Sequence, residues 1–363
     1  MSYRLVKGEY VAIGGQPDGD SIRFRPDNED LLKNFPQGDA EISQRGVTKG
    51  TCQLRFEGVD ALELHYLTPA DHQEINAARR ARDFLLFDLL NYEDVQFDED
   101  EATVTSSVPP AIRGYILTNG LDNAQNRRPV AFLYTGSTRR QDGSNVFVEA
   151  PMLIDSINAR LLSAGEAYPL FYNNLPAVLR DFLTDLATQA RSDGGLGLWP
   201  ADKSLQGIEA HSKEDLQEHV FFPKLYRRLK DYFQQTGADS LSGFDSWVRA
   251  DPIHRDDSVW IQPLRELRHL HSTYEVSNSN IKMLYRPEEL VFQSQGSLVA
   301  APATPPATPI SGGNCPPSHP VKANQSGIYH DVDSPYYNTT RAEVCFATAA
   351  DAEAAGYRPP RRG

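Results

Sequence analysis

Residues 55–63 read Arg55-Phe56-Glu57-Gly58-Val59-Asp60-Ala61-Leu62-Glu63, and their reading decides the fold. Side chains alternate across a strand, so Arg55 and Asp60, five positions apart, face opposite sides of a regular one. For both to serve one site, the strand must bulge or end at Gly58, the residue that tolerates such a break. An interruption of strand geometry near Gly58 is therefore predicted. Upstream lies a second acidic stretch, Asp18-Gly19-Asp20, just before a strand. Asp20, Asp60 and Glu63 together offer the oxygen ligands that suit a hard cation. An arginine beside them holds a phosphate through a bidentate fork. A cation and arginines around one phosphate stabilise the charge that builds up when its diester bond is attacked. Each piece also has a plain reading. Asp-Gly-Asp is a common turn, and Arg55 with Glu57 reads as an exposed strand pair of little energetic weight.

Outward from this stretch, GEYVAI, then SIRFRP after a Pro-Asp-Gly turn, then TCQLRFEGV alternate polar and apolar residues as strands do. A helix is predicted over about 73–91, with Ile75, Ala78, Leu85 and Leu89 on one stripe. The acidic run Asp98 to Glu101 reads as a solvated loop. Strands at AIRGYILTN, PVAFLY and NVFVEA precede helices over about 152–163 and 174–191. Strands followed by helices predict an α+β unit ending near GLGLWPAD, at residue 202.

Residues 203–296 change in character. KEDLQEHVFFPKLYRRLKDYFQQTG reads as a helix interrupted or restarted near Pro223 and stopped by Gly237. DSVWIQP, HSTYEVS, IKMLY and ELVFQ read as strands of a small separate mixed unit with no distinctive chemistry. Residues 297–314, rich in Pro, Ala and Thr, read as a semi-rigid linker that sets off a tail, 315–363.

The order DGDSIRF, LRFEGVDALE, RRPVAFLY, SAGEAYPLFY and GLGLWP resembles the staphylococcal nuclease (thermonuclease) family, over about Glu9 to Asp202 with insertions at 27–50 and 91–127. The Arg-x4-Asp-x2-Glu spacing of Arg55, Asp60 and Glu63 matches that family's central motif. The resemblance implies a five-stranded OB-type barrel with packed helices, and calcium-dependent cleavage of DNA or RNA. It implies that Asp20 and Asp60 ligate Ca2+, with the Ala61 carbonyl where the family usually has Thr, and Asp18 in support. Glu63 would orient or deprotonate water, Arg55 and Arg128 would grip the scissile phosphate, and Tyr168 and Tyr172 would line the nucleotide pocket. A barrel that keeps this shape and binds nucleic acid or a protein without cutting is the alternative.

The sequence departs from the family in three respects. Leu62 stands where the family has Pro. Gln125-Asn126 replaces a Lys-Tyr pair, which removes a phosphate contact and leaves Arg127 and Arg128 competing for one role. Residues 1–202 carry 19 Lys and Arg against 30 Asp and Glu. That balance predicts weak non-specific binding of nucleic acid and marked dependence on divalent ions.

The tail stretches GIYH, CFAT and AEAAGYRP resemble a small module found at the end of many bacterial nucleases and envelope-related proteins, and more distantly the zinc-binding module of the bacterial Ada alkylation-repair protein. His330, Ser334, Pro360 and Gly363 occupy the positions of that module's four cysteines. Cys315, His330 and Cys345, with His319 as a fourth ligand, form a chemically permissible Zn2+ set. Two buried structural cysteines, or a disulfide in an exported protein, are the other readings. Arg358, Arg361 and Arg362 read either as nucleic-acid contacts or as a solvated end.

The whole chain of 363 residues has a net charge of −13, which argues against a general basic coat for nucleic acid. No apolar run is long enough for a transmembrane helix, and the first residues lack the apolar core of a signal peptide, so no membrane association and a cytoplasmic location are expected. Three cysteines fit a reducing compartment. His269 and His271, with His254 nearby, lack a clear third metal ligand. His65 is placed either near substrate or at the surface, and Trp199 reads as packing. Phosphate-cradling glycine loops and Ser-His-Asp motifs are absent from the sequence.

Overall fold

The computed structural model describes residues 2–68, 70–122, 127–192, 195–252, 254–293, 306–324, 327–332, 334–355 and 357–360. Its first strand, β1 (Ser2–Val11), buries Tyr3, Leu5, Val6 and Tyr10. After β2 (Arg23–Pro26) come β3 (Cys52–Gln53), β4 (Arg55–Phe56) and β5 (Val59–Asp60). Helix α1 (Ile75–Asp83) runs on as a π-helical turn over Phe84–Leu89, and within the predicted stripe Ala78, Leu85 and Leu89 are buried. The hairpin β6 (Asp94–Phe97) and β7 (Val104–Val108) has the acidic run at its tip. Then come β8 (Ile112–Leu121), β9 (Pro129–Thr135), β10 (Asn145–Phe147), α2 (Ile157–Ala164), β11 (Tyr168–Pro169), β12 (Phe171–Tyr172) and α3 (Ala177–Ser192).

The principal sheet runs β3-β2-β1-β8-β9-β4, with β10 also on β1. Its two edges, β3 and β4, are separated in the chain by Leu54 alone. A sheet whose opposite edges are one residue apart must curl on itself, and it forms a nearly closed barrel in an α+β fold. Tyr10 and Phe24 are buried on one face of this sheet, and Tyr3 and Phe132 on the other. Asn158 of α2 pins the seam: its Nδ2 donates to the carbonyls of Glu57 and Ala131, at 2.9 and 3.0 Å, and its Oδ1 accepts from the Leu133 N–H. Buried amides tolerate such a position only when paired in this way.

Residues 203–293 contribute β13 (Ile208–Glu209), α4 (Pro223–Thr236), α5 (Phe244–Arg249), β14 (Ser258–Ile261), β15 (Glu266–His269), β16 (Tyr274–Ser277), β17 (Asn280–Met283) and β18 (Leu290–Phe292). Pro223 opens α4, and Gly237, left-handed at φ 63°, caps it. These residues are not a separate unit. β18 pairs in parallel with β12, giving a sheet in the order β12-β18-β14-β15. Phe221, Tyr226, Phe244 and Phe292 belong to the same continuous core as the barrel.

The tail forms β19 (Val321–Ala323), β20 (Tyr329–His330), β21 (Val344–Phe346) and α6 (Ala349–Ala354), with its own small core around Tyr329, Phe346 and Tyr357. Of the expected linker, residues 297–305 lie outside the described residues. The rest is no free spacer: Ala307 exchanges two backbone hydrogen bonds with Cys345, at 2.8 and 2.9 Å. Among the described residues, no helix is long and apolar enough to cross a membrane.

Candidate active site

Two glycines bring the acidic stretches together. Gly58 takes φ +79° between β4 and β5, and a Cβ there would lie 2.7 Å from Leu183 Cδ1. The predicted break is present. It lets β4 pair with β9 while β5 pairs with β11, Asp60 opposite Tyr168. At Gly19 a Cβ would lie 2.6 Å from Ala61 Cβ and 2.8 Å from Ala81 Cβ, so the missing side chain allows the Asp18–Asp20 loop to rest on Ala61. The Ala61 N–H accordingly donates to Asp20 Oδ2 at 3.4 Å.

The cluster is rich in negative charge. Burial, then the charges of Asp18, Asp60 and Glu63, hold the Asp20 carboxyl well above its usual range, against the pull of Arg55. Glu63 is raised by burial too, opposed by Arg227 and reinforced by Asp18 and Asp60. Asp18 is engaged locally by the Ser21 hydroxyl. Arg55 lies with its Cζ 5.5 Å from the centre of the Tyr172 ring. Burial disfavours its charge, yet Tyr172, Asp60 and Asp20 keep it firmly protonated.

The residue that sequence reasoning missed is Arg227. Its Nη2 donates to Asp60 at 2.9 and 3.1 Å, and its Nη1 donates to Glu63. It comes from α4, whose other basic residues also face acids: Lys224 and Arg228 pair with Asp257 at 3.3 and 2.8 Å, and Lys230 pairs with Asp71. The usable signal is the KLYRRLK run beside an acidic barrel, with Lys224, Arg227 and Arg228 on one helix face at three- and four-residue spacing.

Tyr172 stands at the edge of this cluster, half-buried, with Lys224 Nζ 3.5 Å from its hydroxyl. Burial pushes that hydroxyl's pKa up, but Lys224, Arg55 and Arg227 bring it below the usual tyrosine value. Tyr168 is a core residue, not a pocket wall. It is fully buried, donates to Asp202 at 2.7 Å and meets Trp199 and Phe222 edge-on. Trp199 packs between Tyr168 and Arg191.

Arg128 is not brought to the carboxylates: its backbone N–H and Nε both donate to Asp122, at 2.8 and 2.7 Å. Arg127 turns toward the loop at Gly38. Gln125 and Asn126 lie outside the described residues. His65 leaves Nε2 buried without a hydrogen-bond partner, beside a small cavity shared with His72 and Arg79. His271 is hydrogen-bonded to Asp256 at 2.6 Å and His254 to Asp251 at 3.2 Å, so ordinary side-chain contacts account for both.

The cluster offers carboxylate oxygens, the ligand type a hard cation takes, around an Asp20 carboxyl raised first by burial and then by Asp18, Asp60 and Glu63. Two of these carboxylates, Asp60 and Glu63, are paired with the Arg227 guanidinium. Among the described residues, no group of three or more His, Cys, Asp or Glu side chains is disposed around a common metal position.

The expected zinc set in the tail is corrected. Cys315 and Cys345 form a disulfide, and disulfide sulfurs are not the thiolates that zinc requires. His330 instead meets the Ser334 hydroxyl at 2.9 Å. Arg358 stacks over Phe147 at 4.4 Å; Arg361, Arg362 and Gly363 lie outside the described residues. A family model described as ArfC matches residues 300–359. No curated protein matches the chain.

Proposed function

We propose that the chain is a phosphodiesterase that hydrolyses DNA or RNA by calcium-assisted attack of water, built on an OB-type five-stranded barrel like that of the staphylococcal nuclease family. The observation that carries this reading is the convergence of Asp20, Asp60, Glu63 and Arg55, from stretches some forty residues apart, on one partly buried cluster. Asp20, Asp60 and the Ala61 carbonyl would hold Ca2+, with Asp18 in support. Bound there, the ion would neutralise phosphate charge. Arg55 contributes a fork that matches two phosphate oxygens. The raised affinity of Glu63 for protons suits it to take one from water. Tyr172 would meet the adjoining nucleotide.

A second reading, a nuclease-like barrel that binds nucleic acid or a protein without cutting, is favoured by two observations. Arg227 sits on the expected cation ligand and the expected base, and Arg128 is engaged by Asp122. Digestion of single-stranded DNA, duplex DNA and RNA, with calcium and with a chelator, separates the two. Calcium-dependent cutting that disappears in Glu63→Gln is expected of the enzyme. Failure of the wild type to cut any substrate leaves the binding module.

A further inference from the structure

We propose that Arg227, carried by α4, is the second arginine that grips the scissile phosphate beside Arg55, the role that sequence order would give to Arg128. The proposal rests on the nuclease reading and names a residue outside the stretch that resembles the nuclease family.

Position is the first argument. Arg227 touches both Asp60 and Glu63, so its guanidinium lies within one side chain's reach of the place where water must attack. Arg55, on β4 of the barrel, lies in the field of Asp60 and Asp20. Arg128 is held to Asp122 by two hydrogen bonds. The second argument is donor capacity. A guanidinium has five N–H groups in a rigid fork, and the contacts to Asp60 and Glu63 use only its two Nη atoms. A phosphate offers the same paired oxygens as a carboxylate, so Arg227 can exchange one for the other and keep a charge-assisted partner. Third, Lys224 lies one turn earlier on the same helix, 3.5 Å from the Tyr172 hydroxyl. The basic face of α4 thus continues from the carboxylate cluster toward Tyr172 and the expected nucleotide pocket, with Lys224 held there by Asp257 at 3.3 Å.

The test uses the full chain carrying Glu63→Gln, so that substrate is bound and not consumed. Affinity for a short fluorescent single-stranded oligodeoxynucleotide is measured by anisotropy in calcium, across a series of salt concentrations. Arg227→Ala is expected to weaken binding about tenfold or more and to reduce the salt slope by about one. Arg227→Lys should recover part of the loss, and Arg128→Ala should change affinity less than about threefold. Thermal melts identify any variant that fails to fold, and Arg227→Lys, which keeps the charge and loses the fork, then carries the comparison alone. Loss in Arg128→Ala with no loss in the Arg227 variants overturns the proposal. So does tighter binding of calcium, by calorimetry, or of oligonucleotide in Arg227→Ala, which would make Arg227 a plug. If the parent binds no oligonucleotide and the wild type cuts nothing, the nuclease reading falls and takes this assignment with it. Binding that ignores Arg227 overturns this assignment only.

Discussion

Arg227 Nη2 lies 2.9 Å from Asp60 Oδ2 across the seam between helix α4 and the barrel, and the Asp60 side chain is only 2 % exposed. A pair this enclosed is expensive to break from one side, because the remaining charge is out of water and has lost its hydrogen-bonded partner. Arg227→Ala should therefore cost about 3–5 kcal/mol in urea unfolding. Arg227→Met combined with Asp60→Asn and Glu63→Gln should recover most of it, since none of the three paired charges is then stranded. A single variant as stable as the wild type would mean that water reaches Asp60 freely.

Gly58 offers a sharper local test. Alanine there meets a positive φ and a Cβ position 2.7 Å from Leu183 Cδ1, against a close-packed core. Gly58→Ala should destabilise by more than about 1 kcal/mol, because strain and overpacking act together. Leu183→Ala should relieve part of the steric cost without relieving the backbone cost. Additive losses in the double variant would show that the contact is not the cause.

How much of this was legible in advance follows the range of the interactions. The break at Gly58, the opening of α4 at Pro223 and its end at Gly237 are local events, governed by the conformational limits of one residue, and the sequence predicts all three. The approach of the Asp18–Asp20 loop to Ala61 is anticipated only through shared chemistry, and its physical cause, the room left by Gly19, becomes evident only in three dimensions. Pairing of β12 with β18 leaves no local trace, so residues 203–293 read as a separate unit although they complete the core. Tyr168 was misplaced for the same reason: its partners Asp202, Trp199 and Phe222 lie far along the chain. Arg227 escaped notice because a basic residue on an amphipathic helix is ordinarily solvated, and only the fold supplies Asp60 and Glu63 opposite it.

The tail should be separable by reduction. Cys315 and Cys345 enclose a loop at a sequence separation of 30, for which loop-closure entropy suggests about 3–4 kcal/mol of stabilisation. Its core around Tyr329, Phe346 and Tyr357 is distinct from that of the barrel. Dithiothreitol, or Cys315→Ser with Cys345→Ser, should speed hydrogen exchange in β19 and β21 and leave β1 and β8 protected. Loosening of both regions together would show that they unfold as one.

Glu57 sets a pH dependence of its own, outside the Arg227–Asp60 pair. It is buried in the turn before Gly58, its Oε2 has no hydrogen-bond partner, and burial raises its pKa from 4.5 to about 7 against the pull of Arg55. The folded state therefore favours the protonated acid. That contribution is fully present below pH 4.5 and is lost as pH rises through about 7. By pH 8 the charged form should cost on the order of 3 kcal/mol, from a shift of this size at about 1.4 kcal/mol per unit. Glu57→Gln cannot ionise, so unfolding measured from pH 5 to pH 8 should show the variant gaining on the wild type steadily up to about pH 7 and levelling off above it. Parallel pH profiles for the two proteins would mean that Glu57 is solvated or paired in the folded chain, and would remove the argument from burial.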